Sequence, residues 1–143
     1  MTSGSAVGEH RLEFASPPDD VDAVHDFLAG VWGTEPSVGA EDRMAFELAL
    51  VELASNVVEH AGGGHRVACS LALAVTGDGL EARLTDDGRP ASVDPAAAVL
   101  PDGSAESGRG LALVGMVVDE LRYEREGDHN RWTVRRGRSA TTA

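Results

Sequence analysis

Leu12 and Phe14 alternate with Arg11 and Glu13, a period of two that predicts a short strand with one buried face. Ser16-Pro17-Pro18 follows and reads as a cap with first-turn prolines for a helix reaching Trp32. Gly33 to Gly39 is a loop. From Ala40 to Ala61 the apolar positions recur at helical spacing until Gly62-Gly63-Gly64 stops them, which makes this the longest element. Val67, Cys69, Leu71, Leu73 and Val75 return to period two, Thr76-Gly77-Asp78-Gly79 turns the chain, and Leu80, Ala82 and Leu84 resume the alternation, a hairpin. Residues 88–107 are rich in Pro, Gly, Asp, Ser and Ala and too long for an ordinary connection, with a hint of a short helix from Pro95 to Leu100. Gly108 to Asp119 predicts a helix, and strands around Leu121 and Tyr123 and around Trp132 and Val134 close the pattern. Residues 1–8 and 137–143 are small and polar and are expected to be flexible.

Composition narrows what this pattern can do. At 143 residues, 42% apolar and 25% charged, the chain has room for one core, here 9–136. Its twelve basic residues are all arginine, which excludes a Walker A loop, a kinase-type strand lysine and Schiff-base chemistry together. A net charge of -12 removes the electrostatic footing for sequence-independent nucleic-acid binding. Cys69 stands alone in a strand and is expected to be a buried, inert thiol. No run reaches the ~20 apolar residues of a membrane span, and Met1 to Gly8 has no targeting signature, so a cytoplasmic protein without direct nucleic-acid or membrane partners is expected.

Three places could carry chemistry. On the long helix, Phe46, Leu50, Leu53 and Val57 form one apolar stripe, and Glu52 and Asn56 stand one turn apart at its rim. The amide oxygen of Asn56 could hold a hard cation such as Mg²⁺ while Glu52 orients or deprotonates a nucleophile; on the spacing alone a solvated helix flank is the plainer reading. Alternation then turns Asp86 the same way as Leu80, Ala82 and Leu84. A carboxylate on an apolar face needs donors, which a ligand's exocyclic amine could supply, and Gly88 would let backbone approach that ligand; an aspartate opening a turn is the plainer alternative. Finally, Gly108-Arg109-Gly110-Leu111 precedes the apolar residues of the third helix, where free N–H groups and the helix dipole favour phosphate. A dinucleotide fingerprint is excluded by Leu113, and a plain loop-to-helix turn stays open.

Helical E-x-x-x-N, strand-end D-x-G-x-P and G-x-G-L-x-L-V, with a long insert before the last, resemble the N, G1 and G2 boxes of the GHKL ATPase superfamily, which includes gyrase and histidine kinases. The stretches FELALVELASNVVEHA, LTDDGRPAS and SGRGLALVGMVVDELRYE look most like the anti-sigma factor serine/threonine kinases, over about residues 10 to 136. The resemblance implies a two-layer α/β sandwich, its mixed, mainly antiparallel sheet covered on one face by three helices. It implies ATP and Mg²⁺ as cofactors, with Glu52 as general base, Asn56 ligating the metal, Asp86 binding the adenine amino group and Gly88 in the adenine pocket. Residues 91–107 would form an ATP lid, and Gly108, Arg109, Gly110 and Leu111 would line the phosphates. The implied partners are a sigma factor and an anti-anti-sigma antagonist of the STAS type, and the implied assembly is a homodimer.

Two departures qualify this. Pro90 replaces the second glycine of the usual G1 pattern and removes one N–H donor. Thr133, at a position where relatives sometimes carry a nucleotide-contacting threonine, alternates with Arg131 and Arg135, opposite Trp132 and Val134, and is left out of the site. His60 and His65 have no zinc spacing, and Arg131, Arg135, Arg136 and Arg138 read as a solvated basic edge.

Overall fold

The computed structural model describes residues 8–62, 65–91 and 106–138, with the backbone alone for 106–109. The elements run β1 (Gly8–Ser16), α1 (Val21–Thr34), α2 (Ala40–His60), β2 (Val67–Val75), β3 (Gly79–Asp86), α3 (Glu106–Val117), β4 (Glu120–Glu126) and β5 (His129–Gly137). The strands make one sheet in the order β1-β2-β3-β5-β4. Each of the four pairings is antiparallel, where the expectation was a sheet only mainly so. The chain direction reverses because two elements lie between β1 and β2 and two between β3 and β5, while the other neighbours are hairpins.

The period-two alternation becomes rows across the sheet. One inward row reads Leu12, Leu71, Leu84, Trp132 and Tyr123; the next reads Phe14, Cys69, Asp86, Asn130 and Arg125, turning from apolar to polar across the strands. The opposite face carries Glu9, Arg11, Glu13, Arg83, Arg122 and Glu124, all exposed, so the helices cover one side, as expected for this fold class. The stripe of α2 is buried as its spacing predicts, with Phe46, Leu50, Leu53 and Val57 at most 2% exposed, each contributing about 1.5–3 kcal/mol of burial.

Local chemistry overrode three expectations. Ser16 does not cap a helix: it ends β1 opposite Val67, and Asp20 caps α1 by accepting from the Asp22 N–H at 2.9 Å, the role its short carboxylate suits. Gly8 and Gly137, assigned to flexible ends, pair with Val75 and Gly79 in the sheet. Arg136 is no solvated edge either, since its guanidinium donates to the buried Asp42 of α2 at 3.0 Å and to the Val117 carbonyl ending α3 at 2.7 Å. The lid and the hinted helix from Pro95 to Leu100 lie mostly or wholly outside the described residues. No helix among the described residues is long and apolar enough to cross a membrane.

Candidate functional site

At the end of β3, Asp86 is fully buried. Its Oδ1 accepts from Asn130 Nδ2 at 2.9 Å and from the Gly88 N–H at 2.9 Å. Its Oδ2 is equally buried and has no partner among the described residues. Burial pushes the carboxyl above the ordinary aspartate range, against the donations from Asn130 and Gly88 and the charge of Arg125. Across the ladder, the Cys69 thiol is pushed up to about 12 by burial, reinforced by Asp86 and Asp87, so it stays protonated and unreactive. Asp86 faces a cavity of about 390 Å³ whose walls include Asn56, His60, Pro90, Ala91 and Trp132. An orphaned acceptor at the back of such a cavity has the form of a ligand site, because an unpaired buried oxygen costs about 1–3 kcal/mol unless something donates to it.

The segment after β3 is locked onto the end of α2. Helix α2 leaves its last carbonyls without intrahelical donors; the Arg89 side chain reaches the His60 carbonyl at 2.7 Å and the Arg89 N–H reaches that of Ala61 at 2.8 Å. The approach is so close that a Cβ at Gly88 would stand 2.6 Å from the Ala61 carbonyl oxygen, which only glycine permits. Pro90 costs nothing here, as the pinning donors come from Arg89.

Along α2 the cavity continues toward Glu52. A smaller hollow of about 140 Å³ is lined by Glu52, Ser55, Asn56, Glu59, His60 and the start of α3 at Gly110 and Leu111. Asn56 and His60 border both hollows. A Cβ at Gly110 would stand 2.8 Å from Glu52 Oε2, so the glycine brings α3 against the carboxylate. Helix α3 begins at Glu106, earlier than expected. Gly108 therefore sits inside its first turn, where N–H groups lack intrahelical acceptors, whereas Gly110 is the fifth residue and gives its N–H to the helix. Leu111 is in the core at 2% exposure, and the Arg109 side chain lies outside the described residues.

Two hollows that share Asn56 and His60 thus bring Glu52, Asn56, Asp86, Gly110 and Leu111 together, with the Gly88 N–H bonded to Asp86. Sequence reading missed Asn130, Tyr123, Arg125 and the cavity-facing His60. For Asn130 a signal existed, since alternation places it on the same face as Trp132 and Val134; its partner lies 44 residues away. Thr133 faces the open side of the sheet, as alternation required.

The family model described as a histidine kinase-like ATPase domain matches residues 14–136. The chain belongs to that family. Among solved structures, this histidine kinase-like ATPase domain is similar to the histidine kinase domain of the Erythrobacter litoralis EL346 blue-light activated histidine kinase, with TM-score 0.56, 18% identity, and 80% of this chain and 63% of that one covered. It is also similar to the Acinetobacter baumannii histidine kinase AdeS, with TM-score 0.52, 12% identity, and 92% of this chain and 68% of that one covered. At such identities the likeness is one of fold, and the ATPase domain spans under two thirds of the first neighbour. A comparison with curated proteins gives no significant match.

The residues present fit the nucleotide such a family implies. Asp86 Oδ2 has no donor among the described residues, and the neighbouring hollow, which shares Asn56 and His60 with the cavity at Asp86, reaches α3 at Gly110 and Leu111. Among the described residues no group of three or more acidic, histidine or cysteine side chains could hold a metal alone.

Proposed function

We propose that this ATPase-family domain works as a cytoplasmic protein serine/threonine kinase in a bacterial partner-switching module. In this reading it is a homodimeric anti-sigma factor that binds a sigma factor and uses MgATP to phosphorylate an anti-anti-sigma antagonist of the STAS type. The resemblance of its three motif-bearing stretches to anti-sigma kinases supports the choice of target. The observation that carries a transfer function is the placement of Glu52, one turn from Asn56 on α2 and pressed by Gly110 of α3.

Phosphoryl transfer asks a protein mainly for positioning and charge stabilisation. Asp86 would hold the base through an N–H donor, and the Gly88 turn would let backbone lie close to it. Asn56 would ligate the cation through its side-chain oxygen, and the first turn of α3 would receive phosphate oxygens with free N–H groups. Bound magnesium would supply neutralisation of the charge on the phosphates. Glu52 would accept the proton of the antagonist's serine hydroxyl.

The test is transfer of label from γ-labelled ATP to the antagonist protein. Glu52→Ala should keep MgATP affinity within about twofold and lose transfer by on the order of 10²-fold or more. Binding of ATP by the wild type without any labelling of the antagonist would replace this reading by that of an ATP-holding regulatory module.

A further inference from the structure

The large apolar side chains left exposed among the described residues are Met44, Leu48 and Met116, and all three lie on the helical side of the sheet. Met44 and Leu48 stand one turn apart on α2, on the face opposite the core stripe of Phe46, Leu50, Leu53 and Val57. Helix α3 runs antiparallel to α2, because Gly110 lies against Glu52 while the Val117 carbonyl meets the same Arg136 guanidinium that holds Asp42. Met116 therefore sits at the Met44 end. Met44 is 73% and Met116 66% exposed. Single apolar side chains scattered over a surface need no explanation, but three gathered together mark an interaction surface. Methionine suits one, because its unbranched thioether chain adapts to what it meets.

The strip does not end at Leu48. Glu52 follows at the next turn, so Met44, Leu48 and Glu52 stand at i, i+4 and i+8 along one side of α2. At about 1.5 Å of rise per residue, Leu48 lies about 6 Å and Met44 about 12 Å from Glu52 along the helix axis. A body seated on the two apolar side chains has its edge at the carboxylate. Charge then selects the body. Glu41 flanks Met44 and Glu59 lies beyond Glu52, both exposed. The arginines at this end are already engaged, Arg43 Nε with the Val38 carbonyl and Arg136 with Asp42 and Glu41. A second copy set on this face by a two-fold axis would bring these glutamates against one another and shut Glu52 in. A partner with an apolar ridge and basic flanks meets the strip without that conflict.

We propose that the patch of Met44, Leu48 and Met116 is the docking surface for the phosphoacceptor protein, which seats an apolar ridge flanked by basic residues there and so brings its hydroxyl to Glu52. The inference rests on the kinase reading and adds to it the surface that selects the protein substrate.

Steady-state transfer from γ-labelled MgATP to the STAS-type antagonist, with the full chain as enzyme, tests it. Met44→Gln combined with Leu48→Gln should raise the KM for the antagonist by about tenfold or more and leave kcat within about twofold, because docking is lost and the chemistry is not. Met116→Gln should raise KM by about threefold, and it carries the test if the double variant does not fold. MgATP affinity in calorimetry should stay within about twofold in both. The wild-type KM should rise by about threefold or more from about 0.05 to about 0.3 M salt, as attraction between an acidic strip and a basic flank requires. An unchanged KM in both variants would overturn the proposal, and a salt-independent wild-type KM would overturn the choice of a basic partner. So would a loss of kcat or MgATP affinity at unchanged KM, which would tie the strip to the nucleotide, or conversion of a dimer to a monomer in light scattering, which would give the strip to a second copy. A wild type that binds ATP without labelling the antagonist would remove the kinase reading and this inference together.

Discussion

The two ends of the β3–β5 ladder each hold a buried aspartate against a residue of β5, and they do opposite things with it. At the far end Asp42, 2% exposed, meets the guanidinium of Arg136, which also caps the Val117 carbonyl and reaches Glu41. At the near end Asp86 is held by neutral donors, Asn130 and the Gly88 N–H, and keeps one oxygen open. A charged partner completes a carboxylate and makes it a fastening between sheet and helices. A neutral partner orients the carboxylate and leaves its binding capacity for something else. Burial is the property the two aspartates share; the oxygen left without a partner is what sets Asp86 apart.

The sharpest way to break the comparison is to remove the fastening. Arg136→Ala takes a charged donor from the buried Asp42 and should cost about 1.5–3 kcal/mol of stability, read as a lower midpoint in denaturant, because hydrogen bonds to a charged group are among the strong ones. MgATP affinity of the folded protein should stay within about twofold. A large loss of affinity at unchanged stability would show that the two ends are not separate in function.

At the near end, Asp86→Asn should weaken MgATP binding by about 1–3 kcal/mol in calorimetry through loss of the acceptor. It should also leave the ligand-free protein as stable or more so, since a buried charge is gone. The pH dependence follows the same sign. The folded carboxyl sits above its ordinary value, chiefly through burial, so the folded state takes up a proton before the unfolded chain does. The penalty of holding Asp86 charged is present above the folded pKa and relieved as pH falls through it. Affinity for MgATP should fall over that same window, starting at higher pH than an ordinary aspartate would titrate, and the decline should vanish in Asp86→Asn. A flat profile in the wild type would sever the link between this carboxylate and the ligand.

The smallest effect is expected at Gly110→Ala. Its Cβ would crowd only the far end of the Glu52 side chain, which can swing aside. Stability should change by less than about 1 kcal/mol, whereas phosphoryl transfer should drop more than MgATP binding does.

Much of this was readable along the chain because it depends on near neighbours. The period-two run through Val67 to Val75, the apolar stripe of α2 and the inward turn of Asp86 follow from geometry within a few residues. So does the pairing of Glu52 with Asn56, one helical turn apart. Errors came where two local signals competed. Ser16 and Asp20 both offer a cap, and only the pairing of Ser16 with Val67 across the sheet decides between them. Gly108 and Gly110 look like a loop before a helix, whereas α3 starts at Glu106 and uses Gly110 for its closeness to Glu52.

The amino-acid sequence by itself determined the order and type of the elements, the family, and the side chains available to the groove, since each follows from local periodicity or from a short motif. Tertiary structure alone decided which of those side chains meet. The register that sets Asn130 against Asp86 and Arg136 near Asp42 joins residues 44 and 94 positions apart. Such pairings depend on how a whole sheet aligns and where helices settle on it, an outcome of the summed packing of the core that no stretch of the chain specifies alone.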